Sequence, residues 1–416
     1  MSHASLIADV EDWLVGKALG DPDIRALFEK LCDRLRATGI PLARASLSWP
    51  TLHPLFKSEQ VFWWHGKGSE LNQYEHTNGP TEAWLNSPLY YAHKHRLSHL
   101  RRQLTGPDAM LDFPVLEDFR DQGYTDYLVT LTQFGIADVI DFAGRNTGLI
   151  ASWLTQREGG FSDADLDAFR RIKRMFAVAV RASIQRRVMD NIATAYLGPT
   201  AGHQVLKGDI RRGDGARVPA VVWYSDLRSS TRLSDTMDPD SYLALLNQYF
   251  ECTAQPIIDH GGEILNFIGD GVLGVFPIEA KCPMDAAARA EAAVRAALDA
   301  QTQAEKTGTP GGAPLRFGIG LGIGEVKFGN IGVPSRLAFS GIGKIVNAVQ
   351  RIESNTKHLD VPVLASEQYA EAAPGEWATA GEIEIPDFEK RMDVYTLPEL
   401  IKAGRPKEKA ARTPAE

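Results

Sequence analysis

Two spacings of apolar residues alternate along the chain and mark out its elements. Within residues 23–36, Ile24, Leu27, Phe28, Leu31 and Leu35 recur at helical spacing. Short apolar runs broken by Pro and Gly follow at residues 45–49, 60–64, 137–142 and 149–154, and these read as sheet strands. A further helix begins with Ser162 as N-cap and Asp165 as the acid of a capping box. Phe161 and Leu166 stand at the staple positions, and Phe169, Ile172, Phe176 and Val180 continue the apolar stripe. Residues 185–206 stay partly helical, with a break at Gly198-Pro199. Residues 207–217 are polar and Gly-rich, the composition of a linker or loop.

The remainder reads in a clear order. Residues 220–224 form a buried-type strand. A helix follows with Asp238 as N-cap and Pro239 in its first turn, and it ends at Gly261-Gly262. Strands 264–268 and 272–276 flank Gly269-Asp270-Gly271, which predicts a hairpin. An Ala-rich helix at 285–304, a strand pair at 315–323 and 325–331, a helix from 345 to about 357 and a strand at 361–365 complete the series. This βαββαβ order with a further αβ predicts an α+β, ferredoxin-like core. The expected domains are 1–187, a helical linker and loop at 188–218, 219–400, and a disordered tail at 401–416, which is rich in Lys, Arg, Ala and Pro.

Composition narrows the class. A chain of 416 residues exceeds one ordinary core, and 44% hydrophobic with 24% charged residues fits a soluble globular protein. A net charge of −8 argues against broad binding to nucleic acid, which needs a clustered cationic face. Cys32, Cys252 and Cys282 lack metal-ligand spacing and fit a reducing compartment. No apolar run is long enough for a bilayer and no basic segment opens the chain, so the expectation is a cytoplasmic protein without an anchor.

His95 and His99, four apart on an expected helix beside His93, have a spacing that suits a metal or haem; a solvated basic face explains them at least as well. Trp63, Trp64, Trp84, Tyr90 and Tyr91 can line a ligand pocket, although core packing is the commoner use. The glycines at 318, 320, 322 and 324 sit inside a strand pattern, which points to close packing and away from a dinucleotide loop.

Two acids carry the candidate chemistry. Asp226 follows the first strand of the second domain and Asp270 tips the hairpin, and the expected fold makes those strands neighbours. Adjacent carboxylates raise each other's pKa unless a cation lies between them, and Mg²⁺ suits hard oxygen ligands and triphosphates. Arg228, Ser229, Ser230 and Thr231 form a turn whose backbone N–H groups can cradle phosphate. Taken singly, an Asp at a helix cap or in a Gly turn is usually structural.

Three ordered segments change that reading. Residues 224–231, 261–276 and 342–353 resemble, in turn, the first metal motif, the second metal motif and the transition-state motif of class III nucleotidyl cyclases. The resemblance implies two Mg²⁺ or Mn²⁺ ions per site, held by Asp226 and Asp270 with the carbonyl of Leu227. It implies that Asn347 orients the ribose and Arg351 stabilises the reacting phosphate. It implies a homodimer with composite sites that converts ATP to cyclic AMP for intracellular signalling. Asn266 and Ser340 fall in the base-reading slots, where the family usually has Lys and Asp or Thr. Both are polar and can read a purine. They leave open GTP as substrate, or a weak or inactive homologue that binds nucleotide as a regulatory module. Lys390 and Arg391 are candidates for the triphosphate contact. The first domain resembles a GAF-type sensor in architecture, which implies an unknown small ligand or partner there.

Overall fold

In a computed structural model of the chain, residues 3–20, 22–76, 79–134, 148–279, 282–333, 335–384 and 391–401 are described. The strand expected at 137–142, the tail at 402–416 and Lys390 lie outside them. Contacts divide the chain into two units, Met1–Ala195 and Tyr196–Glu416.

The first unit contains α1 (His3–Ala18), α2 (Ile24–Ala37), β1 (Leu42–Pro50), β2 (Phe56–Trp64) and β3 (Gly68–Glu75). Then come α3 (Glu82–Leu85), α4 (Pro88–Lys94), β4 (His99–Gln103), α5 (Pro114–Asp121), β5 (Asp126–Gln133), β6 (Gly148–Thr155) and α6 (Asp163–Leu197). Its six strands make one antiparallel sheet in the order β3-β2-β1-β6-β5-β4. Side-chain alternation gives the sheet two apolar faces. Phe28 of α2 and Phe169 and Phe176 of α6 pack with Trp63 and Trp153 on one face. Leu116 and Phe119 of α5 pack with Tyr127 and Leu154 on the other. The capping box forms as expected: Ser162 N–H donates to Asp165 Oδ2 at 2.8 Å, and Asp165 N–H donates to Ser162 Oγ at 3.3 Å.

His95 and His99 do not share a helix. α4 ends at Lys94, Arg96 adopts a left-handed φ of 53° that stops the helical path, and His99 opens β4.

The second unit contains α7 (Pro199–Lys207), β7 (Gly215–Leu227), α8 (Ser230–Thr236), α9 (Pro239–Asp259), β8 (Glu263–Ile268), β9 (Gly271–Pro277) and α10 (Pro283–Thr307). β10 (Phe317–Val333), β11 (Arg336–Ile342), α11 (Lys344–Ser354), β12 (Val363–Ser366), α12 (Glu367–Ala372), β13 (Ala378–Glu384) and β14 (Arg391–Thr396) follow. The sheet order β13-β14-β12-β10-β7-β9-β8 contains the ferredoxin-like arrangement in β10-β7-β9-β8, with all three of those pairings antiparallel. α9 and α10 cover one face over Trp223, Phe276 and Phe317, all almost fully buried. Burying an apolar side chain of that size contributes roughly 1.5–3 kcal/mol. α11 covers the other face over Ala220, Val222 and Val326.

Three boundaries differ from the sequence expectation. Residues 315–331 do not form a strand pair; β10 is one strand of 17 residues, paired to β7 from Phe317 to Gly329 and then to β11. The helix expected to run to about 357 ends at Ser354. The polar stretch read as loop up to 217 already contains the start of β7, because Gly215, Ala216 and Arg217 pair with the extension of β10.

The glycine stripe on β10 does pack closely, and its partner is a helix. A Cβ at Gly320 would lie 2.5 Å from the Val349 carbonyl oxygen, and one at Gly324 would lie 2.7 Å from Ile345 Cβ. A Cβ at Gly318 would collide with the side chains of Glu353 and Thr356. α11 therefore rests directly on strand backbone.

Candidate active site

β7 and β9 bring the two acids together. Asp226 pairs across the ladder with Gly271, the residue after Asp270. Tyr224 and Asp226 are two apart on β7 and share the sheet face covered by α11, while Ser225 faces α9, where its hydroxyl meets Tyr249 Oη at 3.1 Å. The Asp226 side chain is 26% exposed. Burial, then the charge of Asp270 and a hydrogen bond with it, push the Asp226 carboxyl up to about 6. Lys357 stands 4.0 Å from Asp226 Oδ2 and opposes that rise. Asp270 Oδ2 is buried with no hydrogen-bond partner among the described residues.

These observations fit a divalent cation. Two carboxylates at close quarters, one held partly protonated and one with an orphaned oxygen, form an acceptor-rich site that a hard cation would satisfy. The described residues hold no group of three or more His, Cys, Asp or Glu suited to a metal. A site with few protein ligands suits a cation that also takes phosphate oxygens and water.

The following turn is left-handed at Ser229, with φ 62°, and the Ser229 side chain makes no capping bond. Ser230 and Thr231 open α8. Arg228 turns inward: its Nη2 donates to the Val361 carbonyl at 2.9 Å, its Nε is buried without a partner among the described residues, and burial lowers its pKa while Glu353 and Asp360 raise it.

Asn347 and Arg351 lie one turn apart on α11, Asn347 exposed and Arg351 half-buried. Asn266 lies on β8 at an irregularity in the ladder, and Ser340 lies on β11 opposite Gly329. Their chain neighbours meet, since a Cβ at Gly341 would stand 2.6 Å from Leu265 Cδ1. Arg391 begins β14 and forms ion pairs with Glu382 and Glu384.

Sequence reasoning missed three groups around the acids. Glu353, 2% exposed, sits behind Asp226; burial and then the Asp226 charge push its carboxyl up to about 7. The Tyr224 phenol is pushed up to about 12 by burial, Asp226, Glu353 and Asp270. Lys357 reaches the site from beyond the end of α11. Strand alternation alone could have placed Tyr224 on the face of Asp226. No local pattern marks Lys357.

An α+β domain of ferredoxin-like sheet order, with an acid pair where β7 meets the β8–β9 hairpin, is the class that the geometry defines. The comparisons make it particular. Residues 217–398 match the adenylate and guanylate cyclase catalytic domain. An adenylate cyclase of Anabaena cylindrica is 33% identical over 149 residues, which cover 35% of this chain and 29% of that protein. Adenylate cyclase 1 of Rhizobium meliloti is 29% identical over 152 residues, covering 36% and 23% respectively. The chain thus spans less than a third of either relative. The crystal structure of the guanylyl cyclase Cya2 is 32% identical, covers 44% of this chain and 92% of that one, and superposes with a TM-score of 0.37. That family match covers residues 217–398, less than half of the chain. No helix among the described residues is long and apolar enough to cross a membrane.

Proposed function

We propose that the protein is an adenylate cyclase that closes ATP into 3′,5′-cyclic AMP and releases pyrophosphate, under control of its first unit. The Asp226–Asp270 pair, with its orphaned Asp270 oxygen inside the family-matched segment, carries this reading. Two Mg²⁺ or Mn²⁺ ions held by Asp226, Asp270 and the Leu227 carbonyl would activate the ribose 3′-oxygen and stabilise the leaving pyrophosphate. Asn347 orients the ribose and Arg351 presents its guanidinium fork to the reacting phosphate. The turn at Ser229, Ser230 and Thr231 offers backbone N–H groups to the triphosphate. Asn266 and Ser340 read the base by neutral hydrogen bonds.

In this reading the sites are shared between two copies, with the acids from one and Asn347 and Arg351 of α11 from its partner, and one chain carries both halves of the site. The adenylate cyclases among the relatives support ATP as substrate. The first unit, an antiparallel sheet with helices on both faces, serves in this reading as a GAF-like sensor in a cytoplasmic enzyme. A second reading, a nucleotide-binding module without turnover, draws on the uncharged Asn266 in the base slot.

The deciding assay incubates purified protein with ATP or GTP and either Mg²⁺ or Mn²⁺ and measures cyclic product. Cyclic AMP formed faster than cyclic GMP is expected, with Asn266→Lys sharpening the preference or raising the rate. Exclusive use of GTP overturns the substrate assignment, and nucleotide binding without product favours the module.

A further inference from the structure

The first unit has a cleft of about 580 Å³, open to solvent, between its sheet and the short helices α3, α4 and α5. Small-molecule sites commonly fall between roughly 300 and 1,000 Å³. Its floor is polar and its walls are partly aromatic. Ser46 of β1 and Ser152 of β6, both buried, meet through their hydroxyls at 2.7 Å, and the buried Tyr127 phenol also bonds to Ser152. Phe62 and Phe119 line the walls.

Arg44 of β1 projects among them. Its guanidinium carbon lies 5.6 Å from the Phe62 ring centre, 5.6 Å from that of Trp64 and 5.0 Å from that of Phe119. Three other arginines of this unit are matched to buried acids: Arg101 with Asp126 at 2.7 Å, Arg157 with Asp165 at 2.5 Å, and Arg187 with Glu59 at 2.8 Å. Arg44 has no such partner among the described residues. The groups whose charge acts on it are the phenols of Tyr124 and Tyr127, and burial lowers its pKa. The acids of the cleft wall, Glu82 and Asp118, are exposed to solvent and do not pair with it. A partly desolvated guanidinium stacked on aromatic faces, with no acid paired to it and its fork open to the cleft, is placed to receive an arriving anion.

We infer that this cleft binds a small planar organic anion, its carboxylate or phosphate forked by Arg44 and its ring set against Phe62 and Phe119. Guanidinium forks match both anions bidentately, and aromatic walls suit a flat apolar body. Any effect of the ligand on turnover rests on reading the first unit as a sensor. The binding does not, so its test uses no turnover.

The test is calorimetric titration of the full chain with three probes: indole-3-acetate, its neutral analogue indole-3-acetamide, and phenyl phosphate. At least one anion should bind at submillimolar concentration, with the amide weaker than the acetate, or undetected, by about tenfold or more, as expected for loss of a charge-assisted pair. Acetate binding alone assigns a carboxylate, and phenyl phosphate binding alone assigns a phosphate ester. Arg44→Met should abolish the anion heat, and Arg44→Lys should keep part of it, because charge remains and the fork is lost. Failure of both anions to bind at millimolar concentration overturns the inference. So does an amide that binds as well as the acetate, or full binding by Arg44→Met. If Arg44→Met fails to melt cooperatively, the acid–amide difference in the unaltered chain decides.

Discussion

Each unit places an aspartate at a strand end, and the two are finished in opposite ways. Asp126, at the start of β5, is fully buried and fully answered: Arg101 reaches it at 2.7 Å and Phe161 N–H donates to it at 2.9 Å. Asp226, at the end of β7, faces another acid, with only Lys357 at 4.0 Å among the described residues to offset the repulsion. The first is part of the framework, tying β5 to the segment that leads into α6. The second is unfinished, and in the proposed function a metal ion would complete it. Both are aspartates at opposite ends of sheet strands, and their neighbours set them apart: one is satisfied within the fold and the other is left open to a ligand.

The largest effect expected from breaking this contrast is catalytic. Asp226→Ala or Asp270→Ala should lower cyclic nucleotide production on the order of a hundredfold or more, with circular dichroism and melting showing a folded chain. Turnover at the unaltered rate in either variant would remove the acids from the site.

Complementation sharpens the reading of shared sites. Inactive Asp226→Ala chains mixed with inactive Arg351→Ala chains give mixed dimers in which one site carries both lesions and the other neither. Activity should return to about half per mixed dimer. Absence of recovery where mass spectrometry shows subunit exchange would rule out sites built from two copies.

Asp126→Ala should do the reverse of the catalytic lesions. Removing the acid from Arg101, which keeps its bond to the Phe161 carbonyl, and leaving Phe161 N–H unanswered should cost about 3 kcal/mol of stability, read as a lower denaturation midpoint. The chemistry of the second unit should continue at temperatures where the chain stays folded.

The smallest effect is a slope with pH. The folded chain holds a proton on Asp226 up to about pH 6, whereas the unfolded chain releases it near the ordinary value of 3.8. Folding therefore favours the protonated form, and metal-free stability should fall as pH rises across that window. Glu353, raised from 4.5 to about 7, extends the same fall upward. Melting in the presence of a chelator between pH 4 and 8 should show the decline. Asp226→Asn should flatten part of it and raise the melting temperature at pH 7 by a few degrees. A stability that instead climbs with pH would contradict the crowding of the acids.

What could be read from the sequence was local. The Ser162–Asp165 box and the Asp238 cap form because their hydrogen bonds span three residues. The hairpin at Gly269-Asp270-Gly271 forms because its turn residues suit it, with Gly269 at a φ of 62°. These features brought Asp226 and Asp270 together on paper. Non-local features were missed. Gly324 looked like a break between strands, yet it is extended and sits beneath Ile345. β11 exists through pairing with β10, and its own residues carry no strong alternation. Lys357 meets Asp226 across the fold from a turn that no pattern marks. Arg44 reads as one basic residue among many until three rings surround it.

The glycines under α11 make β10 a levelling surface for a helix. With no side chains between them, the height of α11 above the sheet is fixed by main-chain thickness, and no rotamer can be adjusted to absorb an error. Gly318 lies under the end that carries Glu353, and Gly324 lies under the end that begins with Lys344 and Ile345. A methyl group added at one end would therefore act as a shim. It would tilt the helix and swing Asn347 and Arg351 by different amounts, while leaving both residues, and both acids, chemically intact.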